Sequence, residues 1–503
     1  MSQSDTAEEA GGGDDAAGER TQASKRDRFV NRRKFLMTTG MLAGVGVLAG
    51  CQGDEEDPEE AGEEDNGTGQ PMDGNETDGD ETDGDEDDET GEEEPSLEAR
   101  YPGLRILSPE PENGEAAARS TYTDYITPRE EHYIRNHYPT PDIEESEWSV
   151  SLTGLVGSEV DLSMEEIKHS FRTESVTHTM QCSGNGRNYF DPQVGGNQWT
   201  FGAVGNTIWT GTPVSAILEQ YGAETGNEYF LTVMGGEHPE GEDVFCRSIP
   251  MEKAMDDTLL AYNMNGSPVS PEHGFPVRLL VPGWFGCNNV KWLNRMHVME
   301  TMVIGDEWEE PGAPEDGQRT YTHWQQYSYR IVPEEDTRAE HYEDIPVYDT
   351  REQMERTDEI ANAYMYDQVE KSLIGYPGQE QTVTPSPAGT IEVIGVAWAG
   401  DDAVDAVEVS TDGGASWGEA EFFGPMDGAA GWRQFRYIWE DPSPGEHTLV
   451  SRATDERGYT QPATISGPDD QLRSIQNDQY PWNQSGYGCN AYMVEQVNCT
   501  VEE

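Results

Sequence analysis

His178-Thr-Met-Gln-Cys182-Ser-Gly-Asn-Gly-Arg187 is the stretch on which the fold turns. It sets a cysteine on a Gly- and Asn-rich loop with an arginine five residues on. A thiolate is a soft ligand suited to a transition metal. A neighbouring arginine and loop amides favour that ionised form. Gly184 and Gly186 let backbone approach a bulky group closely. Taken alone, a buried cysteine is usually a small hydrophobe, so the reading depends on the sequence around it.

Three further segments carry the same theme. Glu131-His-Tyr-Ile-Arg135-Asn-His137-Tyr-Pro-Thr-Pro141 sets Arg135 and His137 two apart, which on a strand would share one face. Gly202–Leu218 reads as opening a helix after Trp199. His273-Gly-Phe-Pro-Val-Arg278 runs on through Pro-Gly to Val-Lys291-Trp292, spacing three cations along one strand and loop. Each cation singly reads as a surface charge. Together they read as a phosphate and oxyanion cradle in a chain where composition makes cations scarce.

Outward from these blocks, residues 100–310 mix short strands with helices. Trp148–Gly154 alternates like a strand before a turn. Met164–Phe171 and Pro213–Tyr221 read as helices with Ser163 and Thr212 as N-caps. Residues 311–384 are polar and Pro-rich and read as a connection. Ile391–Trp398, Val404–Ser410, Arg433–Trp439 and His447–Ala453 are strand-like, with a hairpin signal at Thr411-Asp-Gly-Gly414. Short strands with regular turns suggest an immunoglobulin-like sandwich, to which 481–497 would add a last strand.

The four blocks, in this order, resemble the sulfite oxidase family of molybdopterin enzymes over residues 128–330, and the sandwich resembles that family's dimerisation domain. The resemblance implies an α+β chain, a mixed α/β molybdopterin domain followed by an all-β sandwich. It implies a molybdenum–molybdopterin cofactor without a dinucleotide, no haem in this chain, and Cys182 as the protein ligand of the metal. His137, Arg187, His273, Arg278 and Lys291 match positions that bind the pterin or line the metal pocket. Arg135, Arg187, Trp199 and Tyr329 match the pocket for sulfite, and Arg436 is a weaker match to a pocket arginine from the sandwich. The implied activity is two-electron oxygen-atom transfer, sulfite to sulfate, with electrons passed to an external cytochrome or blue-copper protein, in a homodimer. Nitrate or sulfoxide reduction is the alternative chemistry, and an inactive surface-binding lipoprotein the alternative class. Two departures stand out: Gly186 where the family often has arginine, and Ser328 where an aspartate commonly precedes the pocket tyrosine.

The rest of the chain bounds the setting. Arg32-Arg33 precede an uncharged run from Met37 to Gly50 that ends in Leu-Ala-Gly-Cys51. This fits a twin-arginine signal with a lipid-anchored Cys51, hence export to the outer face of the cell membrane. Residues 52–99 hold 24 acidic and no basic residues, so they form a disordered acidic tether. The reading thus divides the chain into 1–51 signal, 52–99 tether, 100–330 molybdopterin domain, 331–384 connection and 385–503 sandwich. The whole chain has 31 basic and 99 acidic residues, a net charge of -68. Only six of the basic residues are lysines. Such a surface resembles proteins of extreme halophiles, and it leaves no basic patch for nucleic acid. None of the six cysteines forms a C-x-x-C pair, so zinc ribbons and c-type haem attachment lack support.

Overall fold

A computed structural model of the chain describes residues 95–236, 244–300, 329–331, 363–470, 472 and 475–503. The expected export signal, Cys51 and nearly all of the acidic tether lie outside the described residues. Among those described, no helix is long and apolar enough to cross a membrane.

The first domain packs two five-stranded sheets with short helices between them, beside a three-stranded sheet of Leu104–Pro109, Glu112–Ala116 and Ile134–Arg135. One sheet orders Val160–Ser163, Ser149–Gly154, Leu293–Met299, Phe230–Gly235 and Cys246–Pro250. The other orders Ser267–Pro268, Leu259–Met264, Val204–Pro213 and Glu174–Gln181, with Arg278–Leu280 also paired to Leu259–Met264. Val150, Leu152, Ile167, Leu218, Leu260, Leu279 and Trp284 fill the space between, all buried. Each such side chain removed from water stabilises the fold by about 1.5–3 kcal/mol. The helix Met164–His169 starts where its sequence says: Ser163 Oγ accepts from the Glu166 amide, and Glu166 accepts from the Ser163 amide. This reciprocal cap satisfies two helix-end donors, and Met164 and Ile167 are the buried face.

Residues 202–213 depart from the expectation of a helix after Trp199. Val204–Pro213 is a strand, and the helix is only Val214–Gln220. The strand pairs along its length with Glu174–Gln181 and on its other edge with Leu259–Met264. Its threonines and Ile208 suit a pleated surface. Arg135 and His137 do not share a strand face either, because the strand is Ile134–Arg135 and ends before His137.

The second domain is a β-sandwich. Lys371–Tyr376, Thr390–Trp398, Arg433–Glu440 and Glu421–Phe423 form one sheet. Gln381–Val383, Val497–Val501, Gly445–Asp455, Val404–Ser410 and Gly418–Glu419 form the other. Val393, Phe435, Val407, Leu449, Ala453 and Val497 meet between them. The 411–414 turn is a structural hairpin in which Asp412 accepts from the Ser416 amide at 2.8 Å and from the Ser410 hydroxyl at 2.7 Å. Sandwich pairing already begins at Lys371, upstream of 385. Lys371 hides this strand from hydropathy, yet it is buried and paired with Glu495 at 3.2 Å. The expected last strand also moves: Val497–Val501 is the strand, and most of 481–496 is loop because its residues close over the first domain.

That closure is polar and specific. Glu495 binds Arg119 of the first domain at 3.2 Å as well as Lys371. Trp398 Nε1 donates to Gln181 Oε1 at 3.0 Å, and Gln368 Nε2 donates to the Thr179 carbonyl at 2.8 Å. Both bonds grip the strand that delivers Cys182.

Candidate active site

The strand Glu174–Gln181 ends one residue before Cys182, and the loop after it is held from three sides. The Cys182 amide donates to the Ala203 carbonyl at 2.9 Å, and Asn185 Oδ1 accepts from the Ala203 amide at 3.1 Å. The loop closes on itself through the Asn185 amide to the Cys182 carbonyl, 3.0 Å, and the Arg187 amide to the Gly184 carbonyl, 2.9 Å. Glu115, fully buried, accepts from the Thr200 and Gly202 amides and so fixes the segment that carries Trp199. Trp199 lies beneath the loop, against Gly184.

Arg187 is threaded between Gly184, Gly196 and Gly486, at each of which a Cβ would collide with its side chain. Its Nε donates to the Ser485 carbonyl at 2.9 Å and its Nη1 to the Asn197 carbonyl at 3.2 Å. Gly186 has φ +94°, and a Cβ there would stand 3.3 Å from Cys489 Sγ. The sandwich thus occupies the space that a side chain at 186 would need, which accounts for the glycine.

Charge converges on the thiol. Burial pushes the Cys182 pKa up, while Arg135, the Gly184 amide and Arg187 pull it down. Arg135 also acts on Tyr329 and on Tyr487, whose phenols burial holds protonated. The structure therefore brings Cys182, Arg135, Arg187 and Tyr329 together. It does not bring Arg436 to them. That side chain is exposed on the outer face of the sandwich and pairs with Glu421 at 3.3 Å.

His273, Arg278 and Lys291 form a second, adjoining group around the 132–136 segment. Arg278 is buried beside Trp209 and donates to the carbonyls of His273 and Asn289, both at 2.8 Å. Its Nη2 also meets Met180 Sδ at 3.5 Å, which joins this knot to the Cys182 strand. Desolvation lowers the Arg278 pKa to about 10. Lys291 donates to the Glu272 carbonyl at 2.8 Å and to Asn136 Oδ1. His273 has both ring nitrogens occupied, Nδ1 by Ser270 at 2.7 Å and Nε2 by the Tyr133 carbonyl at 3.2 Å. It shapes the His132–Tyr133 backbone rather than offering a free donor. His137 is half-buried against Tyr138.

Five groups at this site escaped the sequence reading. His132, buried and held neutral with a pKa of about 3 by desolvation, stacks on Tyr133. Cys287 is electrostatically coupled to Cys182, and burial pushes its thiol up to about 11. Arg247 donates to the Cys287 carbonyl at 2.9 Å and lies 5.0 Å from the Tyr329 ring. Ser183 is buried beside Cys287. Tyr487 reaches in from the sandwich and stacks on Tyr329. His132 and Cys287 sat inside blocks already quoted; Arg247 and Tyr487 had no local signal.

Could these residues hold a molybdenum–pterin group? Among the described residues, Asn185 Nδ2 in the Cys182 loop and Arg278 Nε and His132 Nε2 in the adjoining knot are buried polar atoms without a hydrogen-bond partner. Buried polar atoms normally find partners. Unmet polar atoms in these two adjoining groups, one of which carries a partly accessible soft thiol, fit a large polar anionic cofactor.

Residues 137–305 match the oxidoreductase molybdopterin binding domain, and residues 362–480 match the Mo-co oxidoreductase dimerisation domain. The chain is 30% identical over 388 residues to sulfite oxidase of Gallus gallus, covering 73% of this chain and 74% of that one. It is 30% identical over 380 residues to mitochondrial sulfite oxidase of Rattus norvegicus and spans 63% of that relative's length. An NADH nitrate reductase of Solanum lycopersicum is 36% identical over 217 residues, 40% of this chain and 23% of that one. In fold, the chain is similar to the sulfane dehydrogenase SoxCD of Paracoccus pantotrophus, with a TM-score of 0.60, 23% identity, and coverage of 84% and 96%.

Proposed function

Because the chain belongs to the sulfite oxidase family of molybdopterin-dependent oxidoreductases, we propose that it oxidises sulfite to sulfate with the molybdenum cofactor that Cys182 would hold and passes the electrons to a separate carrier. The observation that carries this reading is the packing at the Cys182 loop, where Arg187 lies against Gly184 and, through Tyr487, beside Tyr329, with Arg135 within electrostatic reach of the thiol.

When bound, the molybdenum–pterin cofactor supplies two-electron oxygen-atom transfer, with Cys182 as its soft protein ligand. The protein does the rest. Arg135, the Gly184 amide and Arg187 favour loss of the Cys182 proton. Arg278 and Lys291 supply cations for the phosphate of the pterin. Arg135 and Arg187 offer charge-assisted hydrogen bonds to a small oxyanion. Arg187 is preorganised for this, since two of its N–H groups are already committed to backbone. Tyr329 adds a neutral donor.

Nitrate reduction is the second reading, supported by the nitrate reductase relative. A neutral sulfoxide suits two arginines less well. The deciding measurement is molybdenum content together with turnover of sulfite against nitrate, using an artificial electron carrier in molar salt. A purified chain without molybdenum overturns the enzyme reading. Nitrate turnover without sulfite turnover selects the alternative.

The setting follows from the same reading. Twin-arginine export with a lipid anchor at Cys51 would place the enzyme on the outer membrane face, on an acidic tether of about 40 Å reach. A cytochrome or blue-copper protein there is the acceptor we propose, and a homodimer through the sandwich is the assembly. A high-salt habitat suits the charge of -68. Lys253 and Lys371, two of the six lysines, are buried in ion pairs rather than displayed.

A further inference from the structure

A continuous stack of cations and aromatic rings starts at Arg187 of the Cys182 loop and crosses the domain junction. The Arg247 guanidinium lies 5.0 Å from the Tyr329 ring centroid. The Tyr329 and Tyr487 rings stack at 5.1 Å with 23° between planes. The Arg187 guanidinium lies 5.2 Å from the Tyr487 ring. Cation–ring contacts of this length are attractive, more so when desolvated. Here Arg247 is fully buried and Tyr487 only 5% exposed.

The stack is anchored at each level. Arg247 donates to the carbonyls of Cys287 and Cys246, at 2.9 and 2.6 Å. Tyr487 is fixed by its own backbone: its amide donates to Asn483 Oδ1 at 2.9 Å, and its carbonyl accepts from the Tyr480 hydroxyl at 2.6 Å. The Tyr487 phenol is within electrostatic reach of Arg135, Arg187, Tyr329 and Cys182. Those are the groups already assigned to metal and oxyanion. Among the described residues, no hydrogen bond to its hydroxyl is formed, and the side chain is held by Tyr329, by Arg187 and by its packing with Phe190 and Val194. A packed phenol beside Arg187 and within electrostatic reach of Arg135 is a ready hydrogen-bond donor to an anion.

We propose that Tyr487 is a second phenolic donor of the substrate pocket, supplied by the sandwich, and that it binds an oxygen of a small oxyanion beside Tyr329. The inference rests on the oxyanion-substrate reading above. Two cations with two neutral phenols can surround a small anion with donors on several sides without piling further positive charge on the metal. Arg247 acts through Tyr329 and is a positioning residue. The sandwich therefore contributes directly to substrate selection, through its 483–489 loop rather than through Arg436.

The test uses the full-length, metal-loaded protein. Tyr487→Phe keeps the ring and the stack and removes only the hydroxyl. Because a hydrogen bond to a charged group is lost, KM for sulfite should rise about tenfold or more. The change should fall on KM more than on kcat. Calorimetric binding of inorganic sulfate should weaken by a similar factor, with molybdenum content and thermal midpoint as in the wild type. Unchanged KM and unchanged sulfate binding in Tyr487→Phe overturn the proposal. If the wild type turns over nitrate and not sulfite, the sulfite reading fails, and Tyr487 is judged by the variant's KM for nitrate. A wild-type chain that binds none of these anions overturns both.

Discussion

Arg187 Nε donates to the Ser485 carbonyl across 2.9 Å, so the arginine of the Cys182 loop is held in place by the C-terminal sandwich. The next residue, Gly486, has φ +60°, and a Cβ there would stand 2.7 Å from Arg187 Cγ. Gly486→Ala should therefore do two things. It should destabilise the fold by about 1–2 kcal/mol through the left-handed backbone alone, and it should displace Arg187 and raise KM for the oxyanion. Gly195→Ala is the control, since a Cβ there meets nothing within 4 Å. Thermal unfolding and steady-state kinetics on both variants check this. Equal behaviour of the two would show that the sandwich does not position Arg187.

Cys182→Ser removes the soft ligand and nearly nothing else, because the loop is held by backbone and Asn185. The expected protein folds with a wild-type midpoint, retains pterin through the Arg278 knot, and loses nearly all sulfite oxidation. Elemental analysis, pterin fluorescence after release and turnover are the three measurements. Near wild-type turnover would remove Cys182 from the metal.

Much of this site was legible before the fold was known, and the reasons differ residue by residue. Cys182, Arg187, Arg278 and Lys291 lie in short local blocks whose glycines, prolines and cations announce a built loop. Arg135 lies in such a block too, but the strand face expected to pair it with His137 does not form, since a strand of two residues leaves no periodicity to read. Arg436 misled because an arginine in an alternating strand reads the same on either face; its ion pair with Glu421 puts it outside. Tyr487 and Arg247 reach the pocket only through tertiary closure. In sequence, Tyr487 sits in a Gly-rich run that reads as an ordinary strand or turn. Lys371 shows the opposite failure, a lysine whose burial depends on a glutamate far along the chain.

His178 gives the fold a defined acid limb. It is fully buried at the end of the first domain's core, where its Nδ1 accepts from the Gly283 amide at 3.2 Å. Desolvation, with Lys253, Arg278 and His132 adding to it, lowers its pKa from 6.5 to about 3. The unfolded chain binds this proton below about pH 6.5 and the folded chain does not, so stability contributed above that pH is lost as pH falls towards 3. His178→Gln abolishes this linkage. The stability difference between wild type and His178→Gln should shrink by about 2–3 kcal/mol from pH 7 to 4.5. Chemical denaturation of both at each pH measures it, and parallel curves would mean that His178 titrates normally.

The net charge of -68 makes screening part of the fold's stability. Carboxylates such as Glu98, Glu219, Asp405 and Glu446 are exposed, whereas the pairs that join the elements, such as Glu495 with Arg119 and Lys371, are buried. Salt acts on the first set far more than on the second, because exposed charges are screened over a Debye length of about 10 Å at 0.1 M and about 3 Å at 1 M. Raising KCl therefore relieves repulsion without dissolving the junction. The thermal midpoint, followed by circular dichroism, should climb steeply between roughly 0.1 M and 1 M KCl and flatten above, where little repulsion is left to screen. An uncharged osmolyte separates screening from general exclusion of solute, which also favours the compact state. Sucrose should raise the midpoint only gradually and should not reproduce the steep low-salt rise. A midpoint that is flat in KCl, or that follows KCl and sucrose alike, would show that self-repulsion does not limit this fold.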